Sequence, residues 1–297
     1  MSCLTLYNTN FPYTNKLFCE GRWGINNNEL GNYLPEWGNS ISAWFISILG
    51  LLQLYYWDHD SVIIHACSSL FFVNGWASFL THFTGYVWWN YIDGISMIIV
   101  VYLVFGLMVE EFCTEVMNKF IKTKQYRLLR TFIWSLLSSI MILNFVFSLE
   151  SCGENKNFIN IQNVFEISFG LPIICTIILV YIQYFIQFDK IKRNKNVKII
   201  WNYLISGTVI AILGTILWIF TENLCDSVDF FKKFPGHVIW HIFMSYGLTQ
   251  ILQFIVFVRT NNYKLNCEII NTNKSMLKNI FYFIFPKIVW RDELEIF

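Results

Sequence analysis

Two histidines four residues apart, His237 and His241 in "HVIWH", open the last apolar stretch of the chain. Helical spacing puts them on one face among apolar and aromatic neighbours. A third histidine, His82, closes an earlier apolar stretch, "SFLTH" at 78–82, with Ser78 four residues before it on the same face. Asp93 follows in "YIDGIS" at 91–96. Three neutral imidazoles meeting at one point make a zinc site with an open fourth position. Water in such a position ionises near neutral pH, with a pKa of about 7, so the open site suits a catalytic ion rather than a structural one.

These residues sit in a chain of unusual composition. Of 297 residues, 55% are hydrophobic and only 14% charged, against roughly a quarter charged in a soluble domain. The apolar residues come in seven runs, about 40–57, 62–85, 87–109, 131–149, 164–187, 200–221 and 236–258. Each is close to the roughly 20 residues that span a bilayer core, and none alternates as a membrane β-strand does. The expectation is an all-α membrane protein, a bundle of seven transmembrane helices. It forms a single integral membrane domain over 1–297, with a tail at 259–297. The N-terminus, "MSCLTLYNTNFPYTNKLF", lacks the pattern of a cleaved signal peptide. The partners implied are the bilayer and a lipid, not nucleic acid.

The charges set an orientation. Lys119, Lys122, Lys124, Arg127 and Arg130 cluster between the third and fourth runs, and Lys190, Lys192, Arg193, Lys195 and Lys198 between the fifth and sixth. Both clusters and the C-terminal tail fall on one side. Of the 21 Lys and Arg, only Lys16, Arg22, Lys156, Lys232 and Lys233 fall on the other. Positive loops stay cytosolic, which makes the N-terminus lumenal or external and the C-terminus cytosolic. Cys19, Cys152 and Cys225 then face a lumen that permits a disulfide, with Cys19–Cys225 the preferred pair. The stretch 275–290, "SMLKNIFYFIFPKIVW", is amphipathic and suits the cytosolic membrane surface.

Depth brings the reactive groups together. Run two returns to the lumenal side at Ser78 and His82. A short connection around Gly85 makes runs two and three a tight antiparallel pair, so Asp93 lies level with His82. Run seven starts on that side with His237 and His241. Burying ionisable groups in a bilayer costs about 2.5–3.5 kcal/mol each even on the insertion scale. One such histidine alone is more often a helix–helix hydrogen bond. Three at one depth, beside Asp93 and Ser78, point to a metal. His59 and His65 fall at the opposite end; seventeen residues of helix put His65 about 25 Å from His82.

The set "SFLTH", Asp93 and "HVIWH", with "FCE" at 18–20, "EWGNSIS" at 36–42 and "LWIFTENLCD" at 217–226, resembles the alkaline ceramidases. These belong to a superfamily of seven-helix membrane hydrolases that also holds the adiponectin receptors and the GPI-remodelling phospholipases. The resemblance runs over about 17–258. It implies a zinc amidase that splits ceramide into a sphingoid base and a fatty acid, in the endoplasmic reticulum or Golgi. His82, His237 and His241 would hold zinc, Asp93 would orient the attacking water and take its proton, and Ser78 would donate to the oxyanion. The family also has an N-terminal calcium site. Of its ligands Glu20 and Glu36 remain here, while Leu17 and Arg22 stand where the family has Asp and Asn, and an arginine opposes cation binding. Asp93-Gly94 departs from the family's usual Asp-Glu. The alternatives are a related esterase acting on phospholipids or GPI anchors, and an adiponectin-receptor-like receptor. A retinal protein is excluded, because residues 235–258 hold no lysine for a Schiff base.

Overall fold

A computed structural model describes residues 35–56, 62–117, 123–150, 161–193, 195–225, 227–233, 236–262, 267–270 and 287–290. Within them lie seven helices of 20 residues or more: α1 (Trp37–Tyr56), α2 (Val62–Thr84), α3 (Val87–Met117), α4 (Thr123–Glu150), α5 (Ile161–Arg193), α6 (Lys195–Leu224) and α8 (Gly236–Asn262). A one-turn helix, α7 (Asp229–Lys233), joins α6 to α8. Every apolar run read from the sequence falls on one of the long helices. Apolar chains adopt helices in lipid because a helix satisfies all its backbone groups internally.

The helices overshoot the predicted runs on the side that carries the lysines. The expected basic connection between runs five and six is helical almost throughout, with α5 ending at Arg193 and α6 starting at Lys195. Likewise α3 reaches Met117 and α4 starts at Thr123. Lys and Arg are good helix formers, so nothing ends a helix where its apolar residues end. At 1.5 Å per residue the 31 residues of α3 extend about 46 Å, well beyond a hydrocarbon core of about 30 Å.

Among the described residues, five helices are long and apolar enough to cross a membrane: α2, α3, α5, α6 and α8, over Val62–Thr84, Trp88–Cys113, Ser168–Ile186, Trp201–Leu224 and Gly236–Val256. In α4 the apolar stretch found is Leu128–Met141. Helix α1 buries Asn39, Ser40, Ser42, Ser47 and Gln53 alongside Ala43, Ile46 and Leu49, so its inward face mixes polar and apolar groups.

Neighbours in sequence pack side by side, α1 on α2 and α2 on α3; α3 also meets α5, and α8 closes the ring against α6 and α1. Two close approaches depend on glycine. A Cβ on Gly75 of α2 would lie 2.4 Å from the backbone nitrogen of Ser47 in α1. One on Gly247 of α8 would lie 2.5 Å from the Gly207 carbonyl oxygen in α6. Small residues let backbones in lipid approach closely enough to gain dispersion contact. The apolar core, including Leu107, Met108, Leu204, Leu252 and Ile255, fills the end of the bundle away from the histidines. There Trp201 of α6 packs edge-on to Phe254 of α8 at 4.5 Å.

In the tail, β1 (Cys267–Ile270) pairs antiparallel with β2 (Lys287–Trp290), Cys267 opposite Trp290. The last four residues of the amphipathic stretch 275–290 are therefore strand, and the rest of it lies outside the described residues. Cys225, buried after α6, is disulfide-bonded. Cys19 and Cys152 lie outside the described residues.

Candidate metal centre

Helix α8 begins pressed against α6. A Cβ on Gly236 would overlap Thr221 Oγ1, at 1.9 Å. This contact fixes the first two turns, which carry His237 and His241. Helix α2 brings His82 to the same level at its last turn. Gly85 then reverses the chain with φ of 67°, a value that favours glycine, and its N–H donates to the Thr81 carbonyl at 2.8 Å. The turn is the tight one expected, and it sets Asp93 of α3 beside α2.

The three imidazoles meet. Ring centroids are 5.1 Å apart for His82 and His237, 5.2 Å for His82 and His241, and 4.4 Å for His237 and His241. All three are buried. Each offers one nitrogen within 4.8 Å of the others, a spread that one ion can draw together. Three nitrogen donors suit zinc, and the structure tests that fit through what holds the rings.

Two of the rings are held from behind by α1. Glu36, at the start of α1, meets His82 Nδ1 through Oε2 at 2.6 Å, and the same oxygen accepts from Asn39 Nδ2 at 3.0 Å. The Glu36 N–H donates to the His82 carbonyl at 3.0 Å. With Nδ1–H given to a carboxylate, His82 keeps its lone pair on Nε2. Ser42 reaches the same result at His241. Its single hydroxyl proton goes to the Asn39 carbonyl at 3.0 Å, so Ser42 Oγ accepts from His241 Nδ1 at 2.8 Å. His241 too then presents Nε2. An unprotonated Nε2 on these two rings is what a divalent ion requires, so they fit the metal.

The other reactive groups come from α2 and α3. Ser78 Oγ lies 3.4 Å from His241 Nε2 and within side-chain hydrogen-bonding reach of the Asp93 carboxylate, which in turn sits in the field of His82. Asn74 Nδ2 donates to Asp93 Oδ1 at 2.7 Å and to its carbonyl at 3.0 Å. Asn74, Ser78 and His82 form one row at four-residue spacing on α2. From this layer a small cavity of about 30 Å³ opens between α1, α2, α3, α5 and α8, lined by Asn74 and His241 and then by Ile46, Met97, Val100 and Met244.

The five residues singled out from the sequence, Ser78, His82, Asp93, His237 and His241, thus lie together. His65 is exposed near the other end of α2 and takes no part. Glu36, expected as a calcium ligand, lies against His82; Glu20 lies outside the described residues. Sequence reasoning missed Asn39, Ser42 and Asn74. The signal for Asn74 was present, since it extends the Ser78–His82 row by one turn. Asn39 and Ser42 carried only their spacing of three and six residues from Glu36, whose meaning depends on which helix α1 faces.

Apolar helices that enclose a buried trio of histidines and a carboxylate beside a small apolar cavity define a membrane-embedded protein with a candidate metal centre. Within that class the assignment is specific: the sequence model of the family described as Ceramidase matches residues 15–286, and the chain belongs to this family. No individual curated protein matches the chain. Membership supports a hydrolase acting on the amide bond of ceramide.

Proposed function

We propose that the protein is a zinc-dependent amidase of the membrane that hydrolyses ceramide to a sphingoid base and a free fatty acid. The observation that carries the reading is the meeting of His82, His237 and His241 beside Ser78 and Asp93, with His241 lining an apolar cavity. His82, His237 and His241 hold the ion, which when bound supplies a Lewis acid and a more acidic water. Asp93, positioned by Asn74, takes a proton from the attacking water and returns it to the leaving nitrogen. Ser78 donates to the carbonyl oxygen as it gains charge. One water is consumed: its oxygen goes to the acyl carbon, the C–N bond breaks, and the amine leaves protonated. The cavity takes an alkyl chain of the substrate.

The same reading makes 1–297 one integral membrane domain with seven spans, a lumenal N-terminus, a cytosolic C-terminus and residence in the endoplasmic reticulum or Golgi. The positive charge on the lysine-rich side supports the orientation. Calcium at Glu20 and Glu36 belongs to the reading only as a neighbour of the zinc site, since Glu36 already holds His82.

The test is to incubate purified protein with ceramide, a phospholipid and a GPI-type ester, and to count metal by mass spectrometry. Ceramide turnover with about one zinc per chain, both lost in His82→Ala and His241→Ala, is expected. Turnover of an ester in preference to ceramide, or zinc that survives either substitution, overturns the reading.

A further inference from the structure

Trp240 lies between the two histidines of α8, and the mechanism above leaves it unused. It is 6% exposed and lines the cavity next to His241. Aromatic rings fix its orientation. It stacks on His237 at 5.2 Å with 16° between planes, packs on Trp218 at 5.0 Å and meets Phe169 at 6.5 Å. Its Nε1–H has no hydrogen-bond partner among the described residues. Indole nitrogen is a donor only, and a buried donor without an acceptor is costly. Trp240 belongs to the cavity lining, so the donor left unpaired on its ring is one that a ligand bound there can satisfy.

We propose that Trp240 is a specificity-determining residue, whose indole N–H donates to a free hydroxyl of the sphingoid headgroup. The inference rests on the ceramide reading. In that reading the amide carbonyl oxygen already has Ser78, and the acyl chain offers no acceptor. The remaining acceptors are the hydroxyls on the two carbons that flank the nitrogen-bearing carbon. A buried donor matched to a substrate hydroxyl discriminates strongly, because the analogue that lacks the hydroxyl leaves the donor unpaired.

The experiment measures kcat/KM for ceramide and for its 1-deoxy and 3-deoxy analogues on single preparations. The ratio between substrates then does not depend on how much of the protein is folded. The wild type prefers ceramide over one of the two analogues by about 10- to 100-fold, the range for one neutral hydrogen bond and the penalty of leaving it unmade. Trp240→Phe brings that ratio close to one while the zinc content stays the same. Trp218→Phe keeps the wild-type ratio, since Trp218 has an equally unpartnered Nε1–H but does not line the cavity. A wild type that treats both analogues like ceramide, or a Trp240→Phe ratio equal to the wild type's, overturns the assignment and leaves the amidase reading standing. A wild type that does not cleave ceramide overturns both.

Discussion

Glu36→Gln keeps the shape of the side chain and removes its charge, at a position that contacts His82 Nδ1. The contact removed is a 2.6 Å bond between buried partners. A hydrogen bond to a charged group contributes about 1.5–3 kcal/mol, and a neutral one about 1 kcal/mol. The amide therefore forfeits about 1–2 kcal/mol of the preference for the His82 form that presents Nε2. At 1.36 kcal/mol per factor of ten, metal affinity falls by roughly 5- to 30-fold. This agrees with the 10- to 100-fold usual for residues that orient metal ligands. The assay is zinc retained after dialysis against a graded series of chelator buffers, with ceramide turnover followed in parallel. Activity should return at high zinc, because the ligands themselves are intact. Glu20→Gln serves as the contrast: if Glu36 acts on His82 directly, Glu20→Gln leaves the zinc titration unchanged. Wild-type zinc affinity in Glu36→Gln refutes the reasoning. A loss matched by Glu20→Gln and reversed by calcium does the same, since it assigns Glu36 to a calcium site.

Ser42→Ala removes the acceptor of His241 Nδ1 and lowers zinc affinity by a few-fold in the same titration, less than Glu36→Gln because the lost bond is neutral. Ser78→Ala retains zinc and slows hydrolysis by about 10²–10³, the loss usual for one oxyanion donor; unchanged turnover removes Ser78 from the mechanism. Gly75→Leu drives a side chain into Ser47 and separates α1 from α2. Overpacking costs about 1–3 kcal/mol, read as a lower unfolding temperature. Zinc affinity falls as well, because α1 carries both Glu36 and Ser42; a variant with wild-type stability and zinc content shows that the helices do not need this approach.

The sequence by itself determined the apolar helices and singled out the residues that the structure brings together. Seven runs of bilayer length leave little besides helix, since lipid offers no partner for an open backbone. His82, Asp93, His237 and His241 stand out because ionisable groups are rare and costly there. Four-residue spacing gave Ser78, and the short turn at Gly85 gave the level of Asp93. Tertiary structure decided what stands behind the rings. The register of α1 against α2 and α8 sets Glu36 on His82 and gives Ser42 to His241. No local pattern reports that register, which Gly75 and Ser47 fix by touching across helices 28 residues apart in sequence. The helix ends were hidden for a related reason: hydrophobicity marks where lipid stops, while a run of Lys and Arg lets the helix continue into water.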